Sequence, residues 1–296
     1  MKDFRGTGVA MVTPFNSDKS IDFEALKSLT NHLIDGGLDY LVVQGTTGES
    51  ATMTGAEKQQ VLDCVVEVNA KRLPVVWGHG GNNTQHLIEA FGQFNLSGVD
   101  AILSASPYYN KPTQKGIIAH YKAFADAAPA PVILYNVPGR TASNMLPTTT
   151  LELAKHQNII AIKEACGDLD QVGQIIKNRP GKFLVLSGDD PLIIPHMALG
   201  GDGIISVVAN AFPTEFSAIS KLCFQGDYNK ARHIHYALID LIYMLFEEGN
   251  PGGIKAVCHH LGLMQNEVRL PLAPISDELY QRLAKATDAI KSLNVA

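Results

Sequence analysis

The chain alternates between two hydrophobic rhythms. Short runs rich in β-branched and aliphatic residues recur at 8–15, 40–48, 73–80, 101–109, 132–139, 159–165, 183–190 and 203–210. They are apolar almost throughout, the pattern of strands covered on both faces. Between them lie longer stretches, such as 23–37 and 57–71, where apolar residues return every three or four positions, as on an amphipathic helix. Strand–helix–strand alternation calls for parallel pairing through crossover helices. Eight units at nearly even spacing predict an α/β fold closed into a TIM (β/α)8 barrel. An open doubly wound sheet would carry a glycine fingerprint after its first strand, and GVAMVTPFNS has no GxGxxG. After about residue 226 the strand runs stop, and helical period continues through 228–248, 251–263 and 276–293. The expected organisation is a barrel over 1–226 and a C-terminal helical extension over 227–296 packed on it.

Composition narrows the classes of function. With 296 residues, 46% of them hydrophobic, the chain can fill the core of one barrel. Only 18% are charged, a hint that some surface is covered between subunits. The net charge is −5 and the 24 Lys and Arg are scattered, so no basic face offers itself to nucleic acid or an anionic membrane. The first fifteen residues lack the apolar run of a signal peptide, and no segment approaches the length that spans a bilayer. Cys64, Cys166, Cys223 and Cys258 form no CxxC pair, which fits reduced thiols and a cytoplasmic location. In Cys258-His259-His260 successive helical residues point in different directions, so no metal is expected there.

In a barrel the loops at the carboxyl ends of the strands converge, so polar residues ending the strand runs are the candidates for chemistry. They are Thr13, Thr46-Thr47-Gly48 with Glu49, Tyr108-Tyr109, Tyr135-Asn136, Lys163-Glu164, Gly188-Asp189-Asp190, Ser206 and Asn210. Lys163 follows IIAI, and alternation puts it on one side with Ala161 and Ala165, whose small side chains leave it room. It is either a lysine that reaches water or pairs with a carboxylate, or an amine poised to attack a carbonyl. Burial disfavours the ammonium form, and a neutral amine is what imine formation needs. Tyr135 ends the preceding strand, where a phenol can shuttle protons or simply bond a buried partner. Thr46 and Thr47 offer hydroxyls and backbone N–H groups to a carboxylate, aided by the following helix N-terminus, or serve as ordinary turn and cap residues. Arg140, two residues after Pro138, suits bidentate carboxylate recognition or is a surface arginine.

Together the motifs AMVTPF, GTTGES, SPYYNKP, YNVPGRT, IKEACGDL, SGDD, GIISVVAN and RLPLAPI are specific. From about Gly8 to the C-terminus the chain resembles the pyruvate-dependent Schiff-base lyase and aldolase family, in particular its members that join pyruvate to L-aspartate 4-semialdehyde. The resemblance implies that Lys163 forms the Schiff base and that Tyr135 donates and accepts protons. It implies a proton relay of Tyr135 with Thr46 and Tyr109, the last reaching into a neighbouring subunit's site. Thr47 and Ile205 match the positions that hold pyruvate, and Arg140 the arginine that binds the second substrate's carboxylate. It also implies a homotetramer of tight dimers and no cofactor, since the lysine is itself the electron sink. Sugar-acid lyases of the family would share Lys163 and Tyr135 but typically lack the arginine of VPGRT. A catalytically silent sensor or scaffold would have no reason to keep Lys163, Tyr135, Thr46, Tyr109 and Arg140 together.

Two places depart from the family pattern. Gly252-Gly253 stand after Asn250-Pro251, where the family often has a further proline; they lie in the extension and touch no catalytic assignment. In lysine-inhibited members a pocket at the tight dimer interface binds L-lysine, and Ser50, Ala51, Asn82 and Tyr108 match it. Gly55, Lys58 and His86 replace its two histidines and its glutamate, which predicts weak or no response to L-lysine.

Overall fold

The structure, a computed structural model, describes residues 2–291. Eight parallel strands close in chain order, β8 pairing back onto β1. They are β1 (Gly6–Ala10), β2 (Tyr40–Val43), β3 (Val75–Gly78), β4 (Ala101–Ala105), β5 (Val132–Asn136), β6 (Ile159–Glu164), β7 (Leu184–Ser187) and β8 (Gly203–Ser206). Most are shorter than the apolar runs that predict them, because each run continues into the loop beyond the strand. Tyr108 and Tyr109 thus lie outside β4.

The helices are α1 (Phe23–Asp35), α2 (Gly55–Asn69), α3 (Thr84–Ala90), α4 (Gln114–Ala127), α5 (Pro138–Thr141), α6 (Pro147–Leu153), α7 (Leu169–Asn178), α8 (Ile193–Ala198) and α9 (Pro213–Phe224), followed by α10 (Tyr228–Met244), α11 (Gly252–His260) and α12 (Asp277–Lys291). Local chemistry sets their ends. Asp22 caps α1 by accepting from Ala25 N, and Thr54 and Glu57 close a reciprocal capping box on α2. Leu26, Leu29 and Leu33 make the buried stripe of α1. Past β8 and α9, the last three helices form the extension: α10 packs on α9, and α12 on α10 and α11. Among the described residues no helix is long and apolar enough to cross a membrane.

Two apolar layers hold the barrel. One lies between strands and helices. The other fills the interior with Phe4, Tyr40, Val42, Val76, Leu103, Ile133, Leu186 and Ile205 among others. Tyr40 crosses the interior to donate to Ile204 O at 3.1 Å, passing where Gly8 has no side chain; a Cβ there would stand 2.1 Å from the ring. Between β5 and β6 the register slips at Val132/Ile133. Beyond the slip Ala161 packs in the interior and Ile162 in the outer layer, so Lys163 falls inside and Glu164 outside.

Candidate active site

The carboxyl ends of the strands open into a cavity of about 470 Å³ that brings together Lys163, Tyr135, Thr46, Thr47 and Arg140. Tyr108 lines it, while Tyr109 stands 87% exposed on a left-handed turn at φ +71°. Ile205 lies within the barrel core, fully buried.

Lys163 pairs in register with Tyr135 across β5 and β6, and its Nζ lies 4.4 Å from the centre of the Tyr135 ring. Both are buried, and among the described residues no carboxylate forms an ion pair with this amine. The stem passes between Ala165 and Gly188. A Cβ on Gly188 would stand 2.6 Å from Ala165 Cβ and 2.8 Å from Lys163 Cε, so the end of β7 must be glycine here. Next to it Asp190 accepts from Val207 N at 3.0 Å and Val208 N at 2.9 Å, fixing the turn that follows Ile205 and Ser206. Burial pushes its carboxyl up to about 6, against the pull of those amide donors.

The threonine loop is built differently from the expectation. After Gly45 the chain makes two 3-10 turns, Thr46–Gly48 and Ser50–Thr52, with Glu49 left-handed between them at φ +53°. The α2 N-terminus comes later, at Gly55, and its capping box occupies the Thr54 and Glu57 amides. Its first turn is thus partly taken up, and the threonines share the cavity wall with Glu49, Ser50, Ala51, Thr52 and Lys58. Thr13 Oγ1 donates to Gly48 O at 2.8 Å.

The extension reaches this loop, which local sequence gave no sign of. Asn250, two residues before Gly252, donates to Thr47 Oγ1 at 2.8 Å and lines the cavity with Pro271 and Leu272. Glu49 accepts from Lys255 Nζ at 2.5 Å and from Arg269 N at 2.9 Å. Lys255 also donates to Glu267 O at 2.8 Å and sits 4.1 Å over the Phe15 ring. Burial lowers its amine to about 8 in spite of Glu49. Gly253 packs against backbone: a Cβ would stand 2.4 Å from Leu245 O.

Arg140 rides on the single turn α5, started by Pro138 straight after β5. It is exposed, and among the described residues it makes no ion pair. Behind the strands, on the outer face, Glu164 accepts from Asn136 Nδ2 at 2.7 Å and Gln171 Nε2 at 3.2 Å. Burial raises its carboxyl to about 7.

Ser50, Ala51, Lys58, His79 and Tyr108 also line the cavity, and burial lowers the Lys58 amine. Gly55, Asn82 and His86 are not part of the lining. Cys258, His259 and His260 diverge: the thiol is buried, His259 Nδ1 meets Met264 O at 3.0 Å, and His260 Nε2 meets Asp288 Oδ1 at 2.9 Å.

Comparison with known proteins agrees with this geometry. Residues 3–290 match the model of the dihydrodipicolinate synthetase family. The 4-hydroxy-tetrahydrodipicolinate synthase of Flavobacterium psychrophilum is 52% identical over 284 residues, covering 96% of this chain and 97% of the relative. The crystal structure of dihydrodipicolinate synthase from Aquifex aeolicus superposes with a TM-score of 0.93 at 40% identity, over 97% of this chain and 98% of that one. The pyruvate complex of a chloride-inhibited dihydrodipicolinate synthase from Acinetobacter baumannii does so with a TM-score of 0.95 at 38% identity, over 98% and 100%. With barrel, mouth and sequence in accord along nearly its whole length, the chain belongs to the dihydrodipicolinate synthetase family.

Proposed function

We propose that the enzyme condenses pyruvate with L-aspartate 4-semialdehyde to give 4-hydroxy-tetrahydrodipicolinate, a lyase reaction of lysine and diaminopimelate biosynthesis. The observation that carries the reading is the buried Lys163 amine, open to the cavity beside Tyr135 and in no ion pair among the described residues.

The Lys163 amine attacks the keto carbon of pyruvate, and loss of water from the carbinolamine leaves an imine. Loss of a methyl proton gives the enamine, whose carbon adds to the aldehyde. The amino group of the semialdehyde then closes on the imine carbon and expels Lys163 as a free amine. No cofactor enters this balance. Tyr135 is the proton carrier for water loss and proton removal, in relay with Thr46 and a Tyr109 supplied by a neighbouring subunit. Its exposed, left-handed turn suits Tyr109 to that delivery. Thr47 accepts a bond from Asn250 and keeps its own hydroxyl proton for the pyruvate carboxylate. Ile205 contributes backbone at the end of β8, and Arg140 pairs with the semialdehyde carboxylate. The assembly is a homotetramer of tight dimers, working in the cytoplasm on these two small substrates without nucleic acid or membrane.

Borohydride reduction in the presence of pyruvate tests the reading. One reduced pyruvate adduct per chain is expected, on the peptide that contains Lys163; an adduct on another lysine would overturn it.

A further inference from the structure

Directly behind Tyr135 and Lys163, a buried polar cluster lies outside every role assigned so far. Asn136 Nδ2 donates to Glu164 Oε1 at 2.7 Å and to Asn144 Oδ1 at 2.8 Å, while Asn136 Oδ1 accepts from Met145 N at 2.9 Å. Gln171 on α7 donates to Glu164 Oε2 at 3.2 Å and accepts from Asn144 Nδ2 at 2.8 Å. The segment that leaves β5 at Asn136 therefore returns to Asn136 at Met145. It is a loop closed at its foot, and Arg140 is carried inside it. Asn136 and Glu164 are fully enclosed, so each amide hydrogen must find an acceptor and the cluster has one good arrangement. Each Glu164 oxygen takes one amide, and the bond to Asn136 ties the loop's foot to the strand that carries Lys163.

We propose that Glu164 is a positioning residue for the second substrate: through Asn136 it fixes the foot of the 137–145 loop and so holds Arg140 over the cavity. Glu164 and Lys163 are consecutive on β6 but face opposite sides of the sheet, so imine formation is left untouched. The proposal rests on the reading that Arg140 binds the semialdehyde carboxylate.

Glu164→Gln keeps the shape and one acceptor but sets an amide against the Gln171 amide. It should form the pyruvate adduct within about twofold of the parent rate, while kcat/KM for the semialdehyde falls about tenfold, mainly through KM. Asn144→Ala, at a partly exposed position, loosens the same foot from the other side and should give the same selective loss, smaller in size. It decides the matter should Glu164→Gln fail to fold. Added to Arg140→Ala, either change should cost less than about twofold more, because both act through the same guanidinium. Equal losses in adduct formation and semialdehyde use would mark a general packing role and overturn the proposal. So would losses that multiply with Arg140→Ala. An Arg140→Ala enzyme with unchanged kcat/KM would sink the underlying reading as well.

Discussion

Among the described residues two lysines are buried, Lys163 and Lys255, and their surroundings are opposites. Lys255 is packed at 0% exposure between Glu49, a backbone carbonyl and the Phe15 ring, with every donor direction occupied. Lys163 is nearly as deep, at 5%, yet its amine lies against the Tyr135 ring and opens on the cavity, with no ion pair among the described residues. Burial alone does not make a nucleophile. An amine enclosed by partners on every side leaves no room for a carbonyl, whereas one that opens on a cavity can be reached by it.

The sharpest way to break the comparison is to remove each lysine in turn. Lys163→Ala should abolish the reduced pyruvate adduct and lower turnover by orders of magnitude, while the protein stays folded. Lys255→Met should do the reverse: the adduct still forms on the Lys163 peptide, but Glu49 is left buried without its partner. That costs about 3–5 kcal/mol in urea unfolding, and adding Glu49→Gln should recover most of it. An adduct lost in Lys255→Met, or an unchanged unfolding midpoint, would contradict the assignment of roles.

A third buried ionisable group, Glu164, extends the contrast to acids. Its carboxyl is raised to about 7 from 4.5 by burial, so between those values the native state keeps a proton the unfolded chain has released. That contribution is full below pH 4.5 and lost as pH rises through 7. Glu164→Gln has no such proton. Its stability relative to the parent should therefore move in its favour by up to about 3 kcal/mol from pH 4.5 to pH 8, measured by urea unfolding at both ends. A difference independent of pH would mean that Glu164 is ionised throughout.

At the mouth, Arg140→Ala should separate the two substrates. The pyruvate adduct forms as before, while kcat/KM for the semialdehyde falls more than tenfold, since a charge-assisted contact is worth about 1.5–3 kcal/mol. The smallest effect is expected from added L-lysine. Lys58 lines the cavity and forms no ion pair among the described residues. A ligand ammonium near it meets repulsion, and His86 stands where the lysine-inhibited pattern has its glutamate. Millimolar L-lysine should leave steady-state activity nearly unchanged, and strong inhibition well below that would refute the assignment.

How much of this was legible in the sequence follows the range of the interactions. Lys163, Tyr135 and the threonine loop could be placed because alternation and strand ends are local properties. Clearance for the Lys163 stem was half visible, in Ala161 and Ala165; Gly188 was noted only as part of a polar strand end. The register slip before Ile133 leaves no mark in the pattern, since both apolar layers use the same residue types. Least visible were the Thr47–Asn250 and Glu49–Lys255 contacts, whose partners lie 203 and 206 residues apart. No periodicity carries information over that distance. The aid expected from the following helix N-terminus is distanced for a local reason: Glu49 takes a left-handed conformation that splits the loop into two turns before α2.

The Glu49–Lys255 pair also bears on how the protein is made. A ribosome delivers all eight strands before Asn250, Lys255 and Arg269 emerge, so a nascent barrel must wait with Glu49 unpaired and Thr47 untethered. Docking of the last three helices is then the event that completes the proposed pyruvate site. The final stretch of translation thus acts as a checkpoint: a chain released early, after Gly226, would hold Lys163 and still lack a finished mouth.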